Sequence, residues 1–290
     1  MARRSQASKQ QSWPVLVILA LLIVVAFLVY QWYQRQPPAN PQEISPDLIT
    51  DDHLVFGGAP RPMPGAGEEV QFTILKNQGY VVGYSESRRD PLWVSYRVFH
   101  SATSYDFPRP SRFSTDERTL ARVKDNDFTR TGFQRGHMAP NATIMHELGQ
   151  TAQLETFLLS NVCPQEPNLN ERVWERLEAD ERKYANNLEE VWVIDGPIFA
   201  DLNGGTTPRL ASGIAIPSAF YKILIDEEDH PGGKPRVFSV IMPQDVKGTE
   251  LPQQFLTTIS EIQKETHLDF LWKLDPQTQA ELENTKWKMW

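Results

Sequence analysis

The sequence predicts an α+β body behind an N-terminal membrane-spanning helix. Three observations lead there. An uncharged apolar run occupies residues 13–33, and several later segments are rich in β-branched and aromatic residues. Helical patterns are interspersed among those segments without a regular βαβ repeat, which favours α+β over a doubly wound sheet.

Residues 1–12 are short and basic, with Arg3, Arg4 and Lys9. The run 13–33 that follows is long enough to cross a bilayer, which takes about 20 residues. Trp13 stands at one end of it and Tyr30, Trp32 and Tyr33 at the other, where aromatic rings favour the membrane interfaces. The positive-inside rule keeps the N-terminus in the cytoplasm and sends the body to the other side. A cleaved signal peptide is the competing reading, but no small-x-small site follows the apolar run closely. Residues 34–47 are rich in Pro, Gln and Asn and form a linker. The rest, 48–290, contains no second linker and is expected to be one domain, entered through a Pro/Gly-rich loop at 57–67.

Within the body, strands are predicted at 80–86, 92–99, 190–199, 213–225 and 236–242. The segment 92–99 follows Pro91 and alternates: Trp93, Ser95 and Arg97 on one face, Val94, Tyr96 and Val98 on the other. Helices are predicted at 115–124, 147–159, 169–187 and 252–266. Asn168 and Glu171 have the spacing of a capping box at the start of the third. Asn170, Trp174, Glu178 and Arg182 then follow at four-residue steps, which places them on one slowly drifting stripe. Alternatively, this is a surface helix with an ion pair between Glu178 and Arg182 and Trp174 as its core anchor.

The formal net charge of −8 over 290 residues makes the whole molecule repel polyanions, so any contact with them must use a local basic patch. One such patch is available between 88 and 135, in Arg88, Arg89, Arg97, Arg109, Arg112, Arg118, Arg122, Lys124, Arg130 and Arg135, though a solvated face would look the same. The single cysteine, Cys163, excludes an intrachain disulfide and a Cys-based zinc site. It reads as a buried structural thiol.

Residues 133–141, Phe-Gln-Arg-Gly-His-Met-Ala-Pro-Asn, carry the chemistry. Gly136 permits a bend or a close backbone approach. Arg135 can contact a phosphate, and His137 can accept a proton near neutral pH. A lone histidine is more often structural than catalytic.

Taken together, three motifs are similar to the sugar-nonspecific DNA/RNA endonucleases of the ββα-metal (His-Me finger) fold, the endonuclease G-like family. They are Arg135-Gly136-His137, Ser160-Asn161-Val162-Cys163-Pro164-Gln165, and Asn170 through Trp174 to Leu177-Glu178. Looser matches at 92–96, 196–199, 216–222 and 259–274 extend the likeness over about 53–275. The resemblance implies a central antiparallel sheet and a nuclease acting on DNA and RNA, with homodimers frequent. It implies Asn170 as the direct protein ligand of Mg²⁺, or of Mn²⁺, with Glu178 holding a metal-bound water. His137 would be the general base, with Arg135, Arg97 and Arg182 offsetting phosphate charge. Asn161, Trp174 and Gln134 would support the site. Two positions depart from the family pattern: Gln134 stands where an Asp is usual, and His267 where a Gly is common. A non-catalytic nucleic-acid-binding module on the same scaffold is the alternative, and an interaction protein with no nucleic-acid role comes last.

Overall fold

The computed structural model describes residues 54–100, 104–227 and 235–290, together with Val25. The chain divides into two units, Met1–Asn40 and Pro41–Trp290. The apolar run 13–33 and the linker 34–47 lie outside the described residues apart from Val25. Among the described residues no helix is long and apolar enough to cross a membrane.

The second unit contains strands β1 (Arg61–Pro62), β2 (Thr73–Lys76), β3 (Tyr80–Ser85), β4 (Asp90–Phe99) and β5 (Gln134–His137), then helices α1 (Asn141–Leu148) and α2 (Gln150–Thr156). Strand β6 (Val162–Gln165) leads through a π-wound turn, Leu169–Trp174, into α3 (Glu175–Leu188). Strands β7 (Glu190–Ile198), β8 (Ala219–Asp226), β9 (Arg236–Pro243) and β10 (Leu256–Thr257) follow, then α4 (Ile259–Thr266), β11 (Leu268–Asp269) and α5 (Pro276–Asn284). The expected central antiparallel sheet is present, with seven strands in the order β10-β9-β8-β7-β4-β3-β2. Two smaller antiparallel pairs, β1-β11 and β5-β6, stand apart from it.

The large sheet is the middle layer, because every residue of β3 and β8 is buried and both sheet faces are covered. Alternation along the strands sorts the core into two halves. Trp93, Ile194, Tyr221 and Ile223 join the N- and C-terminal segments on one face. Val94, Tyr96, Val98, Val193, Phe220 and Leu224 join Trp174, Leu177 and Ala185 of the α3 region on the other. The alternation expected for 92–99 is therefore observed. Pro91, which cannot donate to a ladder, sits at a register shift opposite Tyr84.

Several predicted elements differ. Residues 115–124 form no helix: the Asp116 carboxylate takes hydrogen bonds from the Arg118 backbone and guanidinium and from Ser160, giving the chain an alternative to helical bonding. The expected helix at 147–159 is two helices broken at Gly149, whose φ of 83° lies in the left-handed region. Residues 213–218 are irregular rather than the start of β8: a turn over 210–213, closed by a backbone bond from Gly213 to Leu210, leads into them, and Ala215 makes only an isolated bridge to Arg209. The predicted capping box is absent, since Asn168 has helical dihedrals and makes no side-chain cap.

Candidate active site

Strands β5 and β6 run antiparallel with His137 opposite Val162 and Gly136 opposite Cys163. Glycine is required at 136 for space: a Cβ there would lie 2.0 Å from Gln165 Oε1. Beyond His137 the chain is held by Asn161. Its Oδ1 accepts from the Ala139 N–H at 2.9 Å, and its Nδ2 donates to the Ala139 and Thr156 carbonyls, both at 3.0 Å. Asn161 is fully buried, and these three bonds staple the segment after His137 to the 156–161 stretch. Cys163 is buried, as expected, and burial pushes its thiol pKa well up.

His137 is 8% exposed and packs against Phe113 and Phe157, with ring centroids 5.1 and 5.0 Å away. Burial, and secondarily the Arg109 charge, lowers its pKa to about 3, so the imidazole is neutral at physiological pH. Its Nε2 has no hydrogen-bond partner among the described residues.

His137 lines a cleft of about 240 Å³ with Arg109, Arg135, Pro140, Asn141, Ala142, Asn170, Glu171, Glu175, Glu178 and Arg182. Three guanidinium groups thus face the same space as three carboxylates. Arg135 is steadied by an ion pair to Asp125 at 2.6 Å, and Arg182 reaches the Thr143 hydroxyl at 3.4 Å. Burial raises the Glu178 pKa to about 8, a shift that the nearby Lys222 charge moderates.

The π-wound turn explains how Asn170 and Glu178 reach one cleft. Eight residues of regular α-helix overshoot two full turns by about 80°. The wider i→i+5 winding of 169–174 takes up part of that overshoot. It also corrects the predicted stripe, because Trp174 does not reach the cleft. It is 1% exposed and packs against Phe220 at 5.8 Å and the Lys222 ammonium at 4.5 Å. Trp174 is the core anchor of the helix.

Arg97 is a second correction. It shares the strand face of Trp93, pairs with Glu190 and stacks over Trp192 at 5.2 Å. The cleft lies on the opposite side of the sheet, where Val94, Tyr96 and Val98 meet the α3 region. Its place among the cleft cations is taken by Arg109. In the sequence Arg109 is one of ten basic residues between 88 and 135, and nothing sets Asn141 or Glu175 apart from their neighbours. Most of that basic patch is internally engaged: Arg88 with Asp201, Arg89 with the Ser212 carbonyl, Arg118 with Asp116, Arg122 with Glu117.

Gln134 bridges the two halves of the site. Its Oε1 accepts from Asn170 Nδ2 at 2.7 Å, and its Nε2 donates to the Glu171 carboxylate. The Asn170 Oδ1 has no partner among the described residues, and Asn141 Oδ1 in the same cleft is buried without one. Among those residues no group of three or more His, Cys, Asp or Glu side chains is arranged to hold a metal. The oxygen donors lining the cleft are the Asn141 and Asn170 amides and the Glu171, Glu175 and Glu178 carboxyl groups, a set that suits a hard cation keeping most of its waters.

The profile of the DNA/RNA non-specific endonuclease family matches residues 58–277. Mitochondrial endonuclease G of Bos taurus is 30% identical over 226 residues, covering 74% of this chain and 74% of its own length. A nuclease of Nostoc sp. is 27% identical over 258 residues, covering 86% of this chain and 89% of its own. A crystal structure of an EndoG/EndoGI complex superposes with a TM-score of 0.62 at 24% identity, covering 74% of this chain and 95% of that one, a likeness of fold. With the β5-β6 pair and α3 placed as described, the chain belongs to the DNA/RNA non-specific endonuclease family and is a nuclease.

Proposed function

We propose that this nuclease is a Mg²⁺-dependent, sugar-nonspecific endonuclease that hydrolyses DNA and RNA to 5′-phosphate and 3′-hydroxyl ends. The observation that carries the reading is a neutral imidazole whose unpartnered Nε2 shares a cleft with an unpartnered Asn170 oxygen and three arginines. His137 Nε2 accepts a proton from the attacking water, and the Phe113 and Phe157 rings hold the imidazole in place. A phosphodiester entering the cleft brings negative charge that opposes the effect of Arg109 and raises the basicity of His137. Arg109, Arg135 and Arg182 offset the charge that builds on the phosphate oxygens. Asn170 would hold the cation directly and Glu178 through a water. When bound, that cation supplies Lewis-acid stabilisation of the leaving 3′ oxygen. These groups address the phosphodiester and not a base edge, which favours cleavage without sequence preference.

The proposal extends to place and assembly. The apolar run 13–33 behind Arg3, Arg4 and Lys9 supports a single membrane anchor with the body outside the cytoplasm, and the family resemblance supports a homodimer.

Purified protein incubated with plasmid and with RNA, in Mg²⁺ or in EDTA, tests the activity. Wild type should cut both substrates only with the metal, and His137→Ala should lose at least about 100-fold in rate. Intact substrates across several divalent metals would refute the reading. Cleavage by His137→Ala at the wild-type rate would refute the assignment of the base.

A further inference from the structure

We infer that Gln134 is a positioning residue that fixes which end of the Asn170 carboxamide faces the cleft, and that its neutrality is matched to Glu171. The inference deepens the proposed function and rests on its assignment of Asn170 as a cation ligand.

The argument follows the direction of each hydrogen bond. A carboxylate only accepts, so the Gln134 atom that meets Glu171 must be the amide nitrogen. The Gln134 oxygen is then turned to Asn170, 2.7 Å away, and can only accept. Asn170 must therefore present its own nitrogen to Gln134, which leaves Oδ1 directed away from that pair. A free carboxamide can turn either end outward, and a nitrogen facing the cleft would repel a cation. Glu171 thus sets Gln134, and Gln134 sets Asn170. The Asn170 N–H is separately held by the Glu166 carbonyl at 2.9 Å, so the backbone is fixed and the side-chain flip is the freedom that remains.

The residue at 134 must accept on one side and donate on the other. A carboxylate there could still accept from Asn170 but would confront Glu171 with like charge. Exchanging the two residues, Gln134→Glu with Glu171→Gln, preserves both hydrogen bonds in reversed polarity along the second link and leaves the local net charge unchanged.

The test is calorimetric titration of the full-length protein in detergent with Mn²⁺ alone, without nucleic acid, with circular dichroism to confirm folding. Gln134→Met keeps the side-chain length and removes both hydrogen bonds. It should weaken the Mn²⁺ Kd by about 10-fold or more, the usual cost of losing a partner that orients a ligand. The exchanged pair should bind within about 3-fold of wild type, and nuclease rates should follow the same order. Wild-type affinity in folded Gln134→Met overturns the inference. So does an exchanged pair as weak as Gln134→Met, because then hydrogen-bond direction is not what matters. Asn170→Ala separates this failure from a failure of the proposed function. If it binds Mn²⁺ as wild type does, Asn170 is not a ligand, and the metal assignment falls together with the inference built on it.

Discussion

Replacing Lys222 by Met should destabilise the protein severely and in a pH-dependent way. Lys222 is completely buried on β8, beneath α3 and next to β7. Its ammonium lies 2.6 Å from Glu181, 3.0 Å from Asp195 and 2.9 Å from the Tyr96 hydroxyl, and it covers the Trp174 ring. Both carboxylates are equally buried, so without Lys222 they face each other across an apolar core. Removing one partner of a buried ion pair costs about 3–5 kcal/mol. For a domain of this size that is a fall in Tm of about 6–20 °C. The loss is not uniform with pH. Burial already raises the Asp195 pKa to about 7 with Lys222 in place, and losing the cation raises it further. A carboxyl whose folded pKa exceeds its unfolded value binds more protons when folded, so stability falls as pH rises from about 4 to the folded pKa. The Lys222→Met deficit should therefore be larger at pH 8 than at pH 5, read from urea midpoints at constant m-value. Adding Glu181→Gln and Asp195→Asn should recover part of it. A deficit below about 1 kcal/mol, or one that grows in acid, would refute this account of the network.

The cleft and the sheet make opposite demands on two arginines. Arg109→Ala should lower kcat by about 100-fold while Arg97→Ala stays within about 3-fold, measured as plasmid cleavage under saturating metal; the reverse order would return Arg97 to the site. Opposite in sign to Asp195, the depressed His137 pKa makes this one group destabilising in acid. Its folded value of about 3 lies below the ordinary 6.5, so the unfolded chain takes up the proton first and stability falls as pH drops from 6.5 towards 3. Between pH 6.5 and 5 this group alone removes about 1–2 kcal/mol, and a His137→Phe variant should lose correspondingly less stability over that interval.

The large sheet was legible because its strands carry β-branched and aromatic residues, and in 92–99 a clear period of two. The short strands were not. Gln134–His137 and Val162–Gln165 contain Gly and Pro, which have little strand preference, and their pairing is continued beyond His137 by the Asn161 bonds to Ala139. The pattern at 115–124 misled for the opposite reason. Its residues suit a helix, but Asp116 is committed to Arg118 and Ser160. A propensity summed over a window does not register one side chain that captures the backbone.

The site divides in the same way. His137, Arg135, Asn170, Glu178 and Arg182 were found by spacing and resemblance because their motifs are local in sequence. Arg109 comes from a loop with no periodic pattern, so only the fold shows that it faces His137. Arg97 shows the converse, because its own alternation already placed it beside Trp93. Once Val94, Tyr96 and Val98 are seen beneath α3, that parity puts the guanidinium on the far side of the sheet. Lys222 and Glu181 carry a signal of a different kind. One is a charge inside the apolar run Phe-Tyr-Lys-Ile-Leu-Ile, and the other lies one turn from Leu177 and Ala185 on the buried stripe of α3. An isolated charge in each of two buried patterns is evidence that the two elements meet, since a buried charge needs an opposite charge beside it. Their meeting fixes α3 against β8 through the turn that carries Glu178 and Arg182. The geometry of the cleft therefore depends on a pair of residues that do not line it.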